Sequence, residues 1–236
     1  MIILLVLTGV AYALFILLSW LGWKRTKSFE QTGSEFQTPI SIIIPVRNEE
    51  KNIESCLNSI AKQSYPRHLT EIIVADDSSD DETATLVKNW ISTHDLNAKI
   101  ISVPENLSGK KNALNEGVKN ASGALIVTTD ADCIMTSNWL STIAGYYEKY
   151  APSMICGMVS VRNENNFLSA FESLEQLGLT AIGAAGIYFN YPLMCNGANL
   201  AYPKKIFEEM GGYNPLAETA SGDDTQLMFH IAKVNP

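Results

Sequence analysis

Ala124-Leu125-Ile126-Val127-Thr128-Thr129-Asp130-Ala131-Asp132-Cys133 is the stretch on which the reading of this chain turns. Its first four residues form a short apolar run rich in branched side chains, the mark of a buried strand. The run ends in two carboxylates with one residue between them. In an open α/β sheet, ligands bind beyond the carboxyl ends of the strands. Residues i and i+2 of an extended segment point the same way, so Asp130 and Asp132 can serve one site. Two oxygen donors so placed suit a hard divalent cation, Mn²⁺ or Mg²⁺, shared with a substrate phosphate. Asp-x-Asp is also common as a solvated turn or a helix cap, so its weight rests on the segments around it.

Those segments repeat one form. Ile40 to Val46 is a near-continuous branched run, as expected of a strand buried on both faces of a parallel sheet. Arg47-Asn48-Glu49-Glu50 follows, then Ile53, Cys56, Leu57 and Ile60 at helical spacing, with Asn48 as the expected N-cap and a helix end near Ser64. Glu71 to Ala75 is a second strand, and Asp76-Asp77-Ser78-Ser79-Asp80-Asp81 is its carboxyl-end loop. An Asx-rich turn with a cap accounts for some of those aspartates but not all of them. A helix from Thr83 to His94 places Leu86, Val87, Trp90 and Ile91 inward. A third strand, Lys99 to Val103, leads through Gly109-Lys110-Lys111 to a helix over Asn112–Asn120. A Gly-Lys pair ahead of a helix can approach a phosphate, although the P-loop spacing is absent. Strands alternating with helices over 40–135 predict a mostly parallel sheet with right-handed crossovers.

The second half is less regular. The spacing predicts a helix over Ser137–Tyr150, a strand over Ser153–Val161 and a helix over Asn166–Ile187. The glycines Gly178, Gly183 and Gly186 allow a close neighbour along that last helix. Cys195 to Tyr202 reads as a polar loop entering a strand, and Lys204 to Met210 as a short helix. Gly222-Asp223-Asp224 opens a final helix with two acids at its N-terminus, where a cap is the plain alternative.

At the other end, Met1 to Trp23 contains no charged side chain. As a helix it is about 34 Å long, enough to cross a hydrocarbon core of about 30 Å. The basic cluster Lys24, Arg25 and Lys27 follows the apolar run rather than preceding it, unlike a cleaved signal peptide. Positive residues stay cytoplasmic, so the N-terminus is expected outside the cell membrane and the remaining chain in the cytoplasm. Residues 24–39 read as a basic, polar tether to a folded domain at 40–236. A net charge of -8 argues against nucleic acid as a partner. The four cysteines and three histidines show no zinc spacing, and the cysteines read as thiols of a reducing compartment.

Six segments together, in order, resemble the family 2 glycosyltransferases of the GT-A fold, membrane types included. They are Ser41 to Glu50, Val74 to Thr83, Gly109-Lys110 with Ala113 to Gly117, Thr128 to Cys133, Asn196 to Tyr202, and Gly222 to Leu227. The resemblance implies an α/β GT-A domain with a nucleotide-binding half at 40–135 and an acceptor-side half at 136–236. It implies that Pro45, Arg47 and Glu49 cradle a nucleoside and that Asp76 or Asp77 reads a uracil edge. Lys110 and Asp130 would lie near the nucleotide and diphosphate. Asp132, with Asp130, would hold Mn²⁺ or Mg²⁺. Asn196, Gly197, Ala198, Asn199 and Asp223 would lie beside donor sugar and acceptor, and Asp224 would be the general base. The implied reaction is inverting transfer from a UDP-sugar to a lipid or glycan acceptor at the cytoplasmic membrane face. Membrane members carry a Gln-x-x-Arg-Trp element and further helices after the base. Without them, 40–236 reads as a domain incomplete at its C-terminus, the N-terminal part of a longer protein.

Two other classes compete. A nucleotidyltransferase would place a Gly-rich, Arg-containing loop after the first strand, and Arg47-Asn48-Glu49-Glu50 has no glycine. A non-catalytic nucleotide-sugar-binding membrane protein would not need acids at 130, 132 and 224 together.

Overall fold

The computed structural model describes residues 1–26, 29, 35–161, 166–213 and 222–234. In chain order its elements are α1 (Ile2–Arg25), β1 (Ile40–Val46), α2 (Ile53–Ala61), β2 (Thr70–Asp76), α3 (Thr83–Thr93), β3 (Ala98–Ser102) and α4 (Lys110–Lys119). Then come β4 (Leu125–Thr128), α5 (Trp139–Tyr150), β5 (Ile155–Cys156), α6 (Phe167–Tyr188), β6 (Leu200–Pro203), α7 (Lys204–Glu209) and α8 (Asp223–Val234). They form two compact units, Met1–Ser28 with Met158–Asn196, and Phe29–Gly157 with Gly197–Pro236.

The larger unit is built on a six-stranded sheet of order β3-β2-β1-β4-β6-β5. The strands β3, β2, β1 and β4 run parallel, while β6 runs antiparallel to β4 and to β5. The mostly parallel sheet flanked by helices is thus the GT-A-like arrangement expected. The branched run of β1 lies in the middle, and Ile42, Ile43 and Ile44 are fully buried. Branched side chains fit such a strand because both faces are covered by crossover helices. Val87 and Trp90 of α3, Leu57 and Ile60 of α2, and Leu140 of α5 complete one core. Pro45 is tolerated in this central strand because β4 has left the ladder. Pairing with β4 stops at Ile43 and Thr128, and a proline beyond that point interrupts no bond on that side.

The amino end of the sheet is tied by a buried acid. Glu71 accepts from the hydroxyls of Ser41 and Ser122, from the Ser122 N–H at 2.7 Å and from Lys99 Nζ at 3.0 Å. Burial alone would raise its pKa, but these donors outweigh it and hold the carboxyl down to about 2. A depression of about 440 Å³ beside Pro39, Ala124, Tyr147 and Glu148 opens at this same end. The strand-end carboxylates are at the other.

Several boundaries differ from those read in the sequence. Asn48 does not cap α2; that position belongs to Asn52, and Asn48 sits at a φ of 58°. Its carboxamide instead accepts from the Asp80 N–H at 2.8 Å, joining the β1 and β2 loops. The strand expected over Ser153–Val161 is only Ile155–Cys156. Helix α4 starts at Lys110, not Asn112, because Gly109, at a φ of 118°, turns the chain directly into it. The expected tether is docked where it is described, since Glu148 accepts from the N–H groups of Gln37 and Thr38, both at 2.9 Å. Lys27 lies outside the described residues.

The smaller unit pairs α1 with α6. Ser19 and Gly22 are the buried residues of α1, and a β-carbon on Gly22 would overlap Ala185. Absence of a side chain here lets the two backbones meet. Gly183 and Gly186 of α6 give the same close approach to the backbone of Met194 and Tyr191. Asn166 caps α6 by accepting from the Ser169 N–H at 2.8 Å. Helix α1 is long and apolar enough to cross a membrane, and none of its apolar window is buried.

Candidate active site

Four strands and two helix starts deliver the site residues of the larger unit. β1 ends into Arg47, Asn48 and Glu49, and β2 ends at Asp76 with Asp77 beyond it. β3 leads to Ser108 and Gly109, and β4 leads to Asp130 and Asp132. Helices α4 and α8 begin at Lys110 and Asp223. Parallel strands carry these loops to one edge, which is why segments far apart in sequence meet there.

Asp76 and Asp77 are both buried but differ in use. Asp76 accepts from the Ser79 N–H at 3.2 Å and from its hydroxyl, closing the local turn. Asp77 turns Oδ2 to the Gly109 N–H at 2.9 Å and to the Arg47 guanidinium at 3.5 Å. Its Oδ1 is buried with no hydrogen-bond partner among the described residues. A buried acceptor left unmet is costly, so a site with such an atom is matched to a donor from elsewhere. Arg47 also donates to Ser108 Oγ at 3.2 Å and remains half exposed. Glu49 is turned to its own loop, its carboxylate accepting from Asn52 Nδ2 at 2.9 Å. Pro45 sits half-buried one strand position before Val46.

The Asp-x-Asp end is more open. Asp130 Oδ1 lies 2.7 Å from Lys110 Nζ, and Asp132 is exposed beside Cys133. Burial would lower the pKa of Lys110, but Asp130, Asp224 and Asp132 together raise it. Cys133 is pushed up to about 11 and Cys56 up to about 12, first by burial and then by neighbours that include Asp132 and Asp130, so both thiols stay protonated. Among the described residues, no three His, Cys, Asp or Glu side chains converge as a metal-ligand set. Asp130 and Asp132 offer two carboxylates at this edge, donors of the type that suits a hard divalent cation such as Mn²⁺ or Mg²⁺.

Asp223 and Asp224 open α8 and point to different partners. Asp223 Oδ1 lies 3.0 Å from Lys111 Nζ. Asp224 lies against Gly197, where any β-carbon would collide with its carboxylate. Its pKa is raised, first by burial and then by Asp130 and Asp223, against the opposing pull of Lys110 and the Gly197 N–H. A helix N-terminus favours an ionised acid, but here desolvation outweighs that effect. Gly197 is itself held, its carbonyl accepting from Thr128 Oγ1 at 2.8 Å. Ala198 is buried beside it. Asn199 uses its Oδ1 to accept from the Trp139 indole N–H at 2.9 Å, a structural use that its sequence context did not suggest. Asn196 closes the smaller unit and is half-buried there.

Lys111 is the residue that sequence reading passed over. The signal was the doubled lysine at a helix start. Successive helical residues point about 100° apart, so Lys110 and Lys111 reach different acids.

Residues 41–211 match the family described as Glycosyl transferase family 2, and the chain belongs to that family. It is 25% identical over 225 residues to the probable glycosyltransferase YdaM of Bacillus subtilis, covering 89% of this chain and 52% of that one. The chain thus spans about half the length of that curated relative. In fold it is similar to the mannosyltransferase PcManGT of Pyrobaculum calidifontis, solved with GDP-Man and Mn²⁺, with a TM-score of 0.74 at 21% identity, over 96% of this chain and 62% of that one. It is also similar to residues 1–349 of TarS from S. aureus, solved with UDP-GlcNAc, with a TM-score of 0.57 at 22% identity, over 83% of this chain and 53% of that one.

Proposed function

We propose that the chain carries the donor site and catalytic base of an inverting glycosyltransferase that moves a sugar from UDP to a lipid or glycan acceptor at the cytoplasmic face of the membrane. The observation that carries this reading is the gathering of Asp77, Lys110, Asp130, Asp132 and Asp224 at one sheet edge, with each acid against a different neighbour.

The donor base follows from Asp77. Its Oδ2 is already used by Gly109 and Arg47, so Oδ1 is left to meet a donor from the ligand. A uracil imide presents one N–H, whereas the guanine edge presents two donors to a carboxylate. TarS was solved with UDP-GlcNAc and PcManGT with GDP-Man, both similar to this chain in fold, so the choice of uridine rests on Asp77. Pro45, Arg47 and Glu49 line the adjoining nucleoside side, and Lys110 faces the diphosphate. Asp130 and Asp132 would hold Mn²⁺ or Mg²⁺, which supplies charge neutralisation of the diphosphate as it leaves. Asp224 takes the proton of the acceptor hydroxyl, and its raised pKa makes it a stronger base than a free aspartate. The hydroxyl oxygen then bonds to the anomeric carbon as the bond to diphosphate breaks, inverting configuration. Residues 40–135 serve the nucleotide and 136–236 the acceptor side, with Asn196 to Asn199 and Asp223 beside the transferred sugar. The uncharged stretch 1–23, nearly all of it in α1, anchors this domain, and Lys24, Arg25 and Lys27 keep it cytoplasmic.

Calorimetry tests the donor half. UDP should bind more tightly than GDP or CDP, Asp77→Asn should erase that preference, and EDTA should weaken binding. Equal affinity for all three nucleotides would sink the uracil assignment, and indifference to EDTA would remove the metal. In a transfer assay, Asp224→Asn should keep donor affinity and lose at least about 10²-fold in rate. A reporter fused after residue 236 that is active only outside the cytoplasm would reverse the topology.

A further inference from the structure

Helix α6 presents an apolar surface that the donor chemistry leaves unused. Phe167, Leu168, Phe171, Leu174 and Leu177 are all exposed, Phe167 by 87% and Leu174 by 66%. Helical spacing puts Phe167, Phe171, Leu174 and Gly178 in one row, which runs on to Ala181 and Ala185. Ala185 is where Gly22 of α1 closes on α6. The uncovered row therefore continues the face that α1 occupies at its end, while Glu172 and Gln176 lie on the other side and Glu175 flanks the row beside Phe171.

The level of that meeting point identifies what covers the row. Helix α1 is buried only at Ser19 and Gly22, and every residue from Met1 to Leu18 is exposed. A helix running beside α1 through a bilayer would bury it along its length, so α6 departs at the end of α1 instead. Aromatic and basic residues crowd the junction. Lys24 Nζ stands 4.9 Å from the centre of the Trp20 ring, and Arg25 Nη1 donates to Tyr188 OH at 3.4 Å. Phe189 packs within reach of Gly22, and Tyr191 is exposed beside it. Such residues mark the headgroup level of a membrane. Contiguous exposed apolar area on this scale is uncommon on a water-facing surface.

We infer that α6 lies in the plane of the membrane interface, with Phe167, Phe171 and Leu174 seated at the acyl-chain boundary of the lipid. The inference rests on reading α1 as the membrane span. A helix with Phe and Leu on one side and polar residues on the other binds an interface by apolar burial. The charged residues of α6 are acidic, Glu172 and Glu175, so the attachment needs no anionic lipid.

Nitroxide labels test this in the whole chain, placed in phosphatidylcholine nanodiscs. Cysteine is introduced by Phe171→Cys, Leu174→Cys, Glu172→Cys or Leu7→Cys, in a background with Cys133, Cys156 and Cys195 replaced by serine; Cys56 is buried. At 171 and 174 the ratio of oxygen to water-soluble nickel accessibility should be several-fold higher than at 172, and at 7 it should be higher still. Added phosphatidylglycerol should leave these ratios unchanged. Nickel access at 171 and 174 with 7 still immersed would overturn the placement of α6 alone. Low access to both reagents at 171 would mean that protein, a second copy or another segment, covers the row, and would overturn it as well. Nickel access at 7 would remove the α1 span and this inference with it.

Discussion

Lys111 Nζ lies 3.0 Å from Asp223 Oδ1, tying the first turn of α4 to the first turn of α8. Both side chains are largely buried, so the pair is screened less than a surface ion pair. One turn along α4, Asn115 Oδ1 accepts from the Tyr213 N–H at 3.1 Å. Helix α4 thus grips the chain on both sides of residues 214–221. Lys111→Met should free the start of α8 and misplace Asp224. The expected result is a fall of about 10-fold or more in turnover, because small misplacements of a catalytic group are costly. Donor affinity by calorimetry should hold, and Lys111→Arg should restore most of the rate. A loss of donor binding equal to the loss of turnover would show that Lys111 touches the donor instead.

Gly197 has no room for a side chain, since a β-carbon there would occupy the Asp224 carboxylate. Gly197→Ala should displace the acid while Thr128 and the sheet beneath stay in place. Transfer should fall by roughly 10²-fold, the scale of a lost general base, with UDP affinity kept. Wild-type turnover in this variant would take Asp224 out of the role assigned to it.

The raised pKa of Asp224 has two signed consequences. As the proposed base Asp224 must be unprotonated, so the acid limb of the rate profile should lie above the ordinary carboxylate range. A carboxyl whose pKa rises on folding stabilises the fold at low pH, and that contribution is lost as pH rises through the folded value. At neutral pH the buried charge is a cost. Asp224→Asn should therefore raise Tm near about pH 7.5, and the gain should vanish below 3.8, the unfolded value. Scanning calorimetry across pH reads this directly, and a lower Tm for the variant at neutral pH would contradict it.

Glu71 runs the other way. Its carboxyl is held down to about 2 from 4.5, so its contribution is present above 4.5 and lost as pH falls toward about 2. Glu71→Gln leaves Lys99 without its charge partner and weakens the bonds to Ser41 and Ser122. A loss of roughly 1–3 kcal/mol is expected in urea unfolding at neutral pH, shrinking on acidification. An equal loss at pH 3 and pH 7 would show that shape rather than charge is at work.

What could be read directly was local in origin. Ile40 to Val46 and Leu125 to Thr128 reveal themselves as strands because a run of branched residues buried on both faces needs no distant partner to be recognised. The apolar, uncharged length of α1 is likewise a property of consecutive residues. The strand expected over Ser153–Val161 is shorter than that reading, only Ile155–Cys156. Its length depends on where β6 offers hydrogen bonds, and Asn199 and Gly157 end that pairing. Asp76 and Asp77 were indistinguishable as neighbours in sequence. The fold separates them, because Ser79 takes up one and Gly109, from another loop, takes up half of the other. Asp223 and Asp224 are divided in the same way by Lys111 and Gly197. Periodicity reports which face of an element is apolar, whereas the protonation and pairing of an acid depend on burial and on donors brought in by other elements, and only packing places those.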